Sequence, residues 1–429
     1  MRHALLFGLA GALLACLCLG AAPGTGRAQE PQSSGGGVFV GINLPLSGPY
    51  KAQGQDEKRA YRLAIDRINE NGGLLGRRIT FEIKDTSADP EQAKQNIREF
   101  VRAGNASMIT GGVSSEAAIA QSDMCQKLGV LYMAALAHSS AVTGFVQTPS
   151  GFREQKAHRH TFRWFFNDWM SKEALTPYLV ERFGANKEYY YISVDYIWGD
   201  TILDNLQYST ETQGCMTAGS VRTSLGKRSF KRELARAKNT GPDILVLNLF
   251  GRDLATALSQ AEQMGLTEST QLVAPLMDIN VAREVGPEIM QNVISTSNWY
   301  WSLQDSFAGS KEFVSAYRNR YNKVPSACAA AAWVAVMQWA SAVERAGTFE
   351  TSEVIRKLEN HSFTLLKGRE TWRAWDHQAV SSVYVVRGKS ESESNGRWDL
   401  LKIVKKHQGK GIVRNKEQNT VKLEELGRE

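Results

Sequence analysis

Ser114 and Ser115 sit in Val113-Ser114-Ser115-Glu116, between an expected strand that ends at Gly112 and a stretch of helical periodicity. A serine at such a junction caps the helix and leaves backbone N–H groups pointing into the loop. That end attracts a carboxylate through hydrogen bonds and the helix dipole. The pair therefore reads either as an anion-binding corner or as a plain helix cap. Two aromatic clusters also follow apolar runs, Tyr196-Ile197-Trp198-Gly199 and Trp299-Tyr300-Trp301. Alternate residues of an extended segment face opposite ways, so one or two of the latter three can face a cleft. Catalytic patterns are missing from the chain: there is no GxxxxGK[ST] loop, HExxH, GxSxG elbow or CxxC. His158 and His160 form an HxH pair within the polar, basic stretch 147–160, but a metal site needs a third ligand, and the pair reads as a solvated loop. The chemistry indicated is reversible binding, with no enzyme activity, no cofactor and no metal.

The elements that position these residues are legible from periodicity. Residues 38–42 are an apolar run, as in a strand buried on both faces. Leu46-Ser47-Gly48-Pro49 breaks it. Ala60, Leu63, Ala64, Ile65 and Ile68 then recur near a 3.6-residue period, with charged residues between them, and Asn71-Gly72-Gly73 stops the helix. A second strand starts at Ile79. This is one right-handed βαβ unit whose strand-to-helix loop lies on the ligand side of an open sheet. The plan repeats downstream. Strands are expected at 103–112, 130–135, 189–194, 243–249, 272–274 and 293–297, and helices at 117–128, 173–182 and 254–264. Strands alternating with such helices predict an α/β fold with parallel sheets.

Residues 1–28 begin with Arg2 and His3, run apolar over 4–19 and end at Gly26-Arg27-Ala28, the pattern of a secretory signal peptide. The apolar run is shorter than the roughly twenty residues of a membrane span, and no later segment reads as a span. A lipid anchor on Cys16 is the competing reading, although the residues after it stay apolar. Residues 29–37 read as a flexible leader. Export places the chain in the periplasm. It also leaves Cys125, Cys215 and Cys328, an odd number without metal-ligand spacing. Cys125 and Cys328 are expected to be buried in helices, with a disulfide between them as the alternative. The chain has 429 residues, enough for two lobes, and a formal net charge of +7. No basic face with interleaved aromatics suggests nucleic acid. The basic end, 406–429, reads as a solvated tail.

The stretch 38–85 resembles the mature start of periplasmic solute-binding proteins of the leucine/isoleucine/valine type. The strand, Leu46-Ser47-Gly48-Pro49, Ala64-Ile65-Asp66-Arg67-Ile68-Asn69, Asn71-Gly72-Gly73, and Asp85 followed by Asp89-Pro90 carry the likeness. It extends through nearly the whole chain and thins after Lys406. It implies a type I periplasmic binding protein: α/β, with two Rossmann-like lobes whose parallel-rich sheets are joined by three crossovers, near Arg163, Ser297 and Gln378. Lobe I would be 38–163 plus 298–378, and lobe II 164–297 plus 379–405. The implied function is that of the extracytoplasmic receptor of an ABC importer. It would capture an amino acid or related small carboxylate or amide between closing lobes and pass it to permease subunits, as a monomer. A sensory receptor for a membrane signalling protein, a binder of an aromatic acid or urea, and a secreted enzyme on a similar fold are the alternatives.

The resemblance also assigns site residues. Ser115, with Ser114 beside it, matches the serine that binds the ligand carboxylate. Ala137 matches the next binding loop, where His138 replaces a usual threonine and Ser139 stands in for its hydroxyl. His138 either contacts the ligand or points away. Gln53 occupies a position that is aromatic in some relatives, with Tyr50 nearby. Trp198 and Phe250 match aromatic positions of lobe II, where each is either a ligand contact or packing. The acid that receives the ligand ammonium aligns with Leu276. Asp278 is then the nearest candidate, or the ligand is not an ordinary amino acid.

Overall fold

The computed structural model describes residues 37–147 and 153–426. The expected signal segment, its Cys16 and the leader up to residue 36 lie outside the described residues. The chain opens with β1 (Val38–Leu44), α1 (Lys51–Glu70), β2 (Ile79–Asp85), α2 (Pro90–Gly104), β3 (Met108–Gly111), α3 (Ser115–Leu128) and β4 (Leu131–Ala134). A hairpin, β5 (Phe145–Gln147) and β6 (Arg153–Gln155), precedes β7 (Thr161–Arg163). Then come α4 (Asp168–Phe183), β8 (Glu188–Val194), α5 (Ile197–Thr212), β9 (Met216–Thr223), α6 (Lys231–Thr240), β10 (Ile244–Asn248), α7 (Gly251–Gln263), β11 (Gln271–Ala274), α8 (Ile279–Met290) and β12 (Val293–Ser297). The last part holds α9 (Ala308–Tyr321), α10 (Ala327–Ala346) and α11 (Thr351–Leu358). It closes with the short strands β13 (Ser362–Phe363), β14 (Glu370–Trp372) and β15 (Ala379–Val380), and with β16 (Val383–Gly388) and β17 (Leu401–His407).

Two sheets organise two lobes. The first has the order β2-β1-β3-β4-β7 and is parallel throughout. The second has the order β17-β16-β12-β11-β10-β8-β9, parallel except for the antiparallel β12–β16 and β16–β17 pairs. The parallel-rich α/β fold expected from alternation is therefore the fold observed. In both lobes a glycine lets a helix start against its preceding strand. A Cβ on Gly54 in α1 would lie 2.0 Å from Pro45 O, and one on Gly199 in α5 would lie 1.7 Å from Val194 O. Only a residue without Cβ permits either approach. The two helices are thereby pinned with their first turns over the strand ends that form the cleft.

Gln53, Glu57, Ala60, Tyr61, Ala64, Ile65 and Ile68 make the buried face of α1, which packs along α10. Helix α10 corrects one expectation. Ala327–Ala346 is long and apolar enough to cross a membrane, yet 83% of its apolar window is buried within the protein, as in a core helix. Its alanines at 327 and 329–332 allow the close approach of a neighbouring helix. A second correction concerns residues 103–104, expected in a strand. They finish α2, which starts on an Asp89 cap with Pro90 in its first turn and stops at Asn105 in the left-handed region. A third concerns the tail. Ile412, Asn419 and Val421 are buried, and Asn419 Nδ2 donates to Thr143 O at 3.0 Å and Asp376 Oδ2 at 3.3 Å. The segment after β17 is thus docked on the first lobe rather than solvated. Cys125, Cys215 and Cys328 are all free and buried, the first and last in helices α3 and α10.

Candidate functional site

The loops at the carboxyl ends of both sheets meet. From the first lobe, the end of β3 leads to Ser114, the N-cap of α3, whose side chain makes no capping bond. Ser115 Oγ instead accepts the Ser139 backbone N–H at 3.1 Å. That bond ties the α3 corner to the 136–140 loop after β4. Arg163 holds this loop from behind. Its guanidinium donates to Ala137 O at 2.9 Å, to Ser139 O, to Thr143 Oγ1 at 2.6 Å and to Gln378 Oε1 at 2.8 Å. Burial pulls the Arg163 pKa down to about 10, against the pull of Asp168 and Asp376, so it stays charged at neutral pH. Asp168 Oδ1 in turn accepts from Ser140 N at 3.1 Å.

Aromatic side chains join the lobes. Trp198 Nε1 donates to His138 Nδ1 at 2.8 Å. His138 Nε2 lies 3.2 Å from Ser171 Oγ, which donates to Pro275 O at 2.9 Å. That pattern assigns the proton to Nε2 and makes Nδ1 the acceptor. Burial, aided by the Arg163 charge, pushes the imidazole well below its usual pKa and keeps it neutral. Both nitrogens of His138 are therefore used by protein groups, while its ring packs edge-on to Phe166 at 4.6 Å between centroids. Tyr50 OH lies 2.9 Å from Tyr196 OH. The Tyr50 ring is 5.9 Å from Phe250, and Phe250 is 6.5 Å from Trp198. Ser139 Oγ and Thr201 Oγ1 are 3.0 Å apart. Tyr50, His138 and Ser139 of the first lobe thus each meet a side chain of the second.

An acidic corner lies beyond this wall. Gln53 and Glu57, one helical turn apart on α1, are fully buried. Gln53 Oε1 and both Glu57 oxygens have no hydrogen-bond partner among the described residues. A Cβ on Gly251 of the second lobe would stand 3.2 Å from Gln53 Oε1, so this side chain faces across the cleft. Asp278, the sequence's candidate acid, caps α8: Oδ1 accepts from Asn280 N at 2.8 Å, and Cys328 Sγ donates to Oδ2 at 3.2 Å. Burial, with Asp56 nearby, raises its pKa to about 6. Asp56 itself is satisfied by Arg59, Tyr317 and Asn280.

The geometry thus brings Ser114, Ser115, Ala137, His138, Ser139, Trp198, Phe250, Gln53 and Tyr50 to one interlobe region, with Asp278 on its acidic side. The cluster Trp299-Tyr300-Trp301 is elsewhere, correcting its expected place as a cleft wall. Trp299 Nε1 donates to Ser310 Oγ at 2.8 Å, and both Tyr300 OH and Trp301 Nε1 donate to Trp398 O at 2.9 Å. These bonds lock the chain leaving β12. His158 and His160 are also structural. His158 bridges Asp123 and Glu424, and His160 Nδ1 sits 2.8 Å from Gln126 Oε1. Among the described residues no cluster has a metal-ligand arrangement. Reading the sequence missed Glu57, Tyr196, Thr201 and the role of Arg163. The available signal for Glu57 was its spacing, four residues after Gln53 and four before Tyr61 on one face.

A family model described as periplasmic binding protein matches residues 37–396. The chain belongs to that family, in the type I branch that includes the Leu/Ile/Val-binding proteins. The Leucine-, isoleucine-, valine-, threonine-, and alanine-binding protein of Pseudomonas aeruginosa is 22% identical over 76% of this chain and 83% of its own length. The Leu/Ile/Val-binding protein BraC3 of Rhizobium johnstonii is 23% identical over 48% of this chain, a match that spans only 53% of the relative. A periplasmic binding protein structure from Burkholderia mallei superposes with a TM-score of 0.81 at 23% identity, covering 89% of this chain and 98% of its own. A solute binding protein of an ABC transporter from Rhodopseudomonas palustris, in complex with 3,4-dihydroxy benzoic acid, gives 0.77 at 18% identity, with 87% and 97% covered. These proteins are binding proteins by name, and the members of the family are periplasmic.

Proposed function

We propose that this protein is the extracytoplasmic receptor of an ABC importer, that residues 1–28 direct its export, and that it captures a small amino acid or related carboxylate between its lobes. The observation that carries this reading is the convergence of the α3 corner, with Ser115, and the aromatic group Tyr50, Trp198 and Phe250 from opposite sheets. The corner offers hydrogen-bond donors to a carboxylate, and the aromatics cover an apolar side chain. Residues 38–163 with 298–378 act as one moving body, and 164–297 with 379–405 as the other. Ligand favours the closed arrangement only through contacts that the open one lacks. That closed form is what a permease recognises.

An aromatic carboxylate is the second reading, favoured by the aromatic lining and by the dihydroxybenzoate-bound relative. A thermal-shift screen of amino acids, amides, urea and aromatic acids decides between them, because a ligand of the folded state raises the melting temperature by mass action. Ser115→Ala removes the acceptor for Ser139 N at 3.1 Å and one candidate carboxylate donor. The hit's affinity should fall by about 10-fold, the loss of a buried hydrogen bond. An unchanged affinity overturns the placement of the carboxylate.

A further inference from the structure

We propose that Glu57 receives the protonated amine of the ligand, so that the site selects a zwitterion, an amine-bearing carboxylate, over a simple carboxylate. This rests on the reading of the interlobe region as the ligand site and deepens it.

Glu57 is 0% exposed, and neither of its oxygens has a hydrogen-bond partner among the described residues. Each of the other buried acids among the described residues has at least one partnered oxygen. Glu370 meets Lys367 and the Trp164 indole, Asp376 meets Arg373, Glu233 meets Lys227 and Arg232, and Asp56 meets Arg59. A carboxylate buried without a partner is costly, so a fold keeps one where something else completes it. The position suits a ligand group. Tyr61, one turn along α1, bonds Thr110 at 2.8 Å, and Tyr132 OH bonds Gly111 O at 2.9 Å. Glu57, one turn before Tyr61 on the same buried face of α1, thus lies toward the end of β3, whose loop leads to the α3 corner. A ligand docking its carboxylate on that corner has an acid, and the free Gln53 Oε1, within the same cleft. Asp278 is less suited, since both of its oxygens are engaged.

Charge balance supports the same choice. Burial, reinforced by Asp56 and Asp278, pushes the Glu57 pKa well up, so the group holds its proton without a cation. An ammonium docking there favours the carboxylate form and expels that proton. A benzoate-like anion can at most accept a hydrogen bond from the protonated acid and has no ammonium to pair with the carboxylate.

The experiment uses the full chain and its Glu57→Gln variant, with circular dichroism as the check on folding. Both are screened by thermal shift against the twenty common amino acids, 4-methylpentanoate (leucine without its amine), benzoate and 3,4-dihydroxybenzoate. The expected result is stabilisation of the parent by one or more amino acids, with affinity lowered roughly 100-fold in Glu57→Gln, as for breaking a buried ion pair. Calorimetry in two buffers of different ionisation enthalpy should show proton release when an amino acid binds the parent, and less or none in the variant. Equal amino-acid affinity in parent and folded variant overturns the assignment. So does a parent stabilised only by amine-free carboxylates, which leaves the ligand site standing. If no probe stabilises the parent, the reading of the site falls and this inference with it. A variant that fails to fold leaves the proton count on the parent as the test: no release on amino-acid binding overturns the proposal.

Discussion

Trp198 and His138 meet through a bond that exists only while the sheets face each other, Nε1 to Nδ1 at 2.8 Å. Trp198→Phe keeps an aromatic surface and deletes the donor. The buried Nδ1 is then unpaired in the closed form, at a cost of about 1–2 kcal/mol, whereas in the open form water satisfies it. Closure and ligand affinity should fall by about 5- to 30-fold. Titration calorimetry reads the affinity, and an unchanged value overturns the idea that this bond holds the lobes. That Ser115, His138 and Trp198 lie in loops after strand ends was legible in the sequence, and the family resemblance singled them out among the residues such loops present to a cleft. Glu57 was not. It lies within Asp56-Glu57-Lys58-Arg59, which looks like the solvated face of an amphipathic helix. Its burial comes from tertiary packing on a helix that runs along α10.

At the scale of elements, α1 and α5 do the same job in the two lobes, each beginning where a glycine meets a strand-end carbonyl. Gly54→Ala and Gly199→Ala place a methyl 2.0 Å from Pro45 O and 1.7 Å from Val194 O. Backbone, not a flexible side chain, must move. Each substitution should destabilise by roughly 2 kcal/mol or more, measured by urea unfolding. Because the first turn of α1 carries Tyr50 and Gln53 at the cleft and that of α5 carries Trp198, ligand affinity should fall as well. A variant as stable as the parent would show that the helices re-seat freely. The βαβ rhythm made the parallel strands legible, since buried strands read as short apolar runs. β9 and α6 were passed over. β9 is mostly half-exposed, so Met216–Thr223 has no continuous apolar run. The antiparallel pair β16–β17 was also invisible as a pairing, because partner choice depends on the returning chain rather than on local pattern.

For the whole molecule, the crossings between lobes are held by buried polar groups. Arg163 and Gln378 meet at two crossings, through a bridge and the Nε bond at 2.8 Å. Lys367 Nζ donates to Asn298 O at 2.7 Å and Ser382 O at 2.8 Å, while its partner Glu370 accepts from Trp164 at 2.9 Å. The family resemblance implied crossings near Arg163, Ser297 and Gln378, but not the polar groups found there.

The tail adds a strap from the second sheet back to the first lobe, and its far end is a charge cluster. His158 lies between Asp123 on α3, at 2.7 Å, and Glu424 on the tail, at 3.0 Å, with the Arg159 guanidinium and the His160 imidazole, whose pKa burial lowers, beside it. Burial works against the imidazolium, but the bonds to Asp123 and Glu424 outweigh it and hold the His158 pKa above its usual value. A group raised in the folded state contributes stability below its unfolded pKa, about 6.5, and loses it as pH rises through the folded value. Glu424 is lowered, despite its burial, by backbone hydrogen bonding and His158, so its share is lost as pH falls below the usual carboxylate range. The strap is therefore tightest from about pH 5 to about pH 6.5. A chain ending after Ile412 should melt lower than the full chain, and the gap should be wider at pH 6 than at pH 8.5. In His158→Gln the gap should lose most of that pH dependence. A gap that stays constant with pH in the parent would mean that Asn419 and the buried Val421, rather than the ion pair, hold the tail in place.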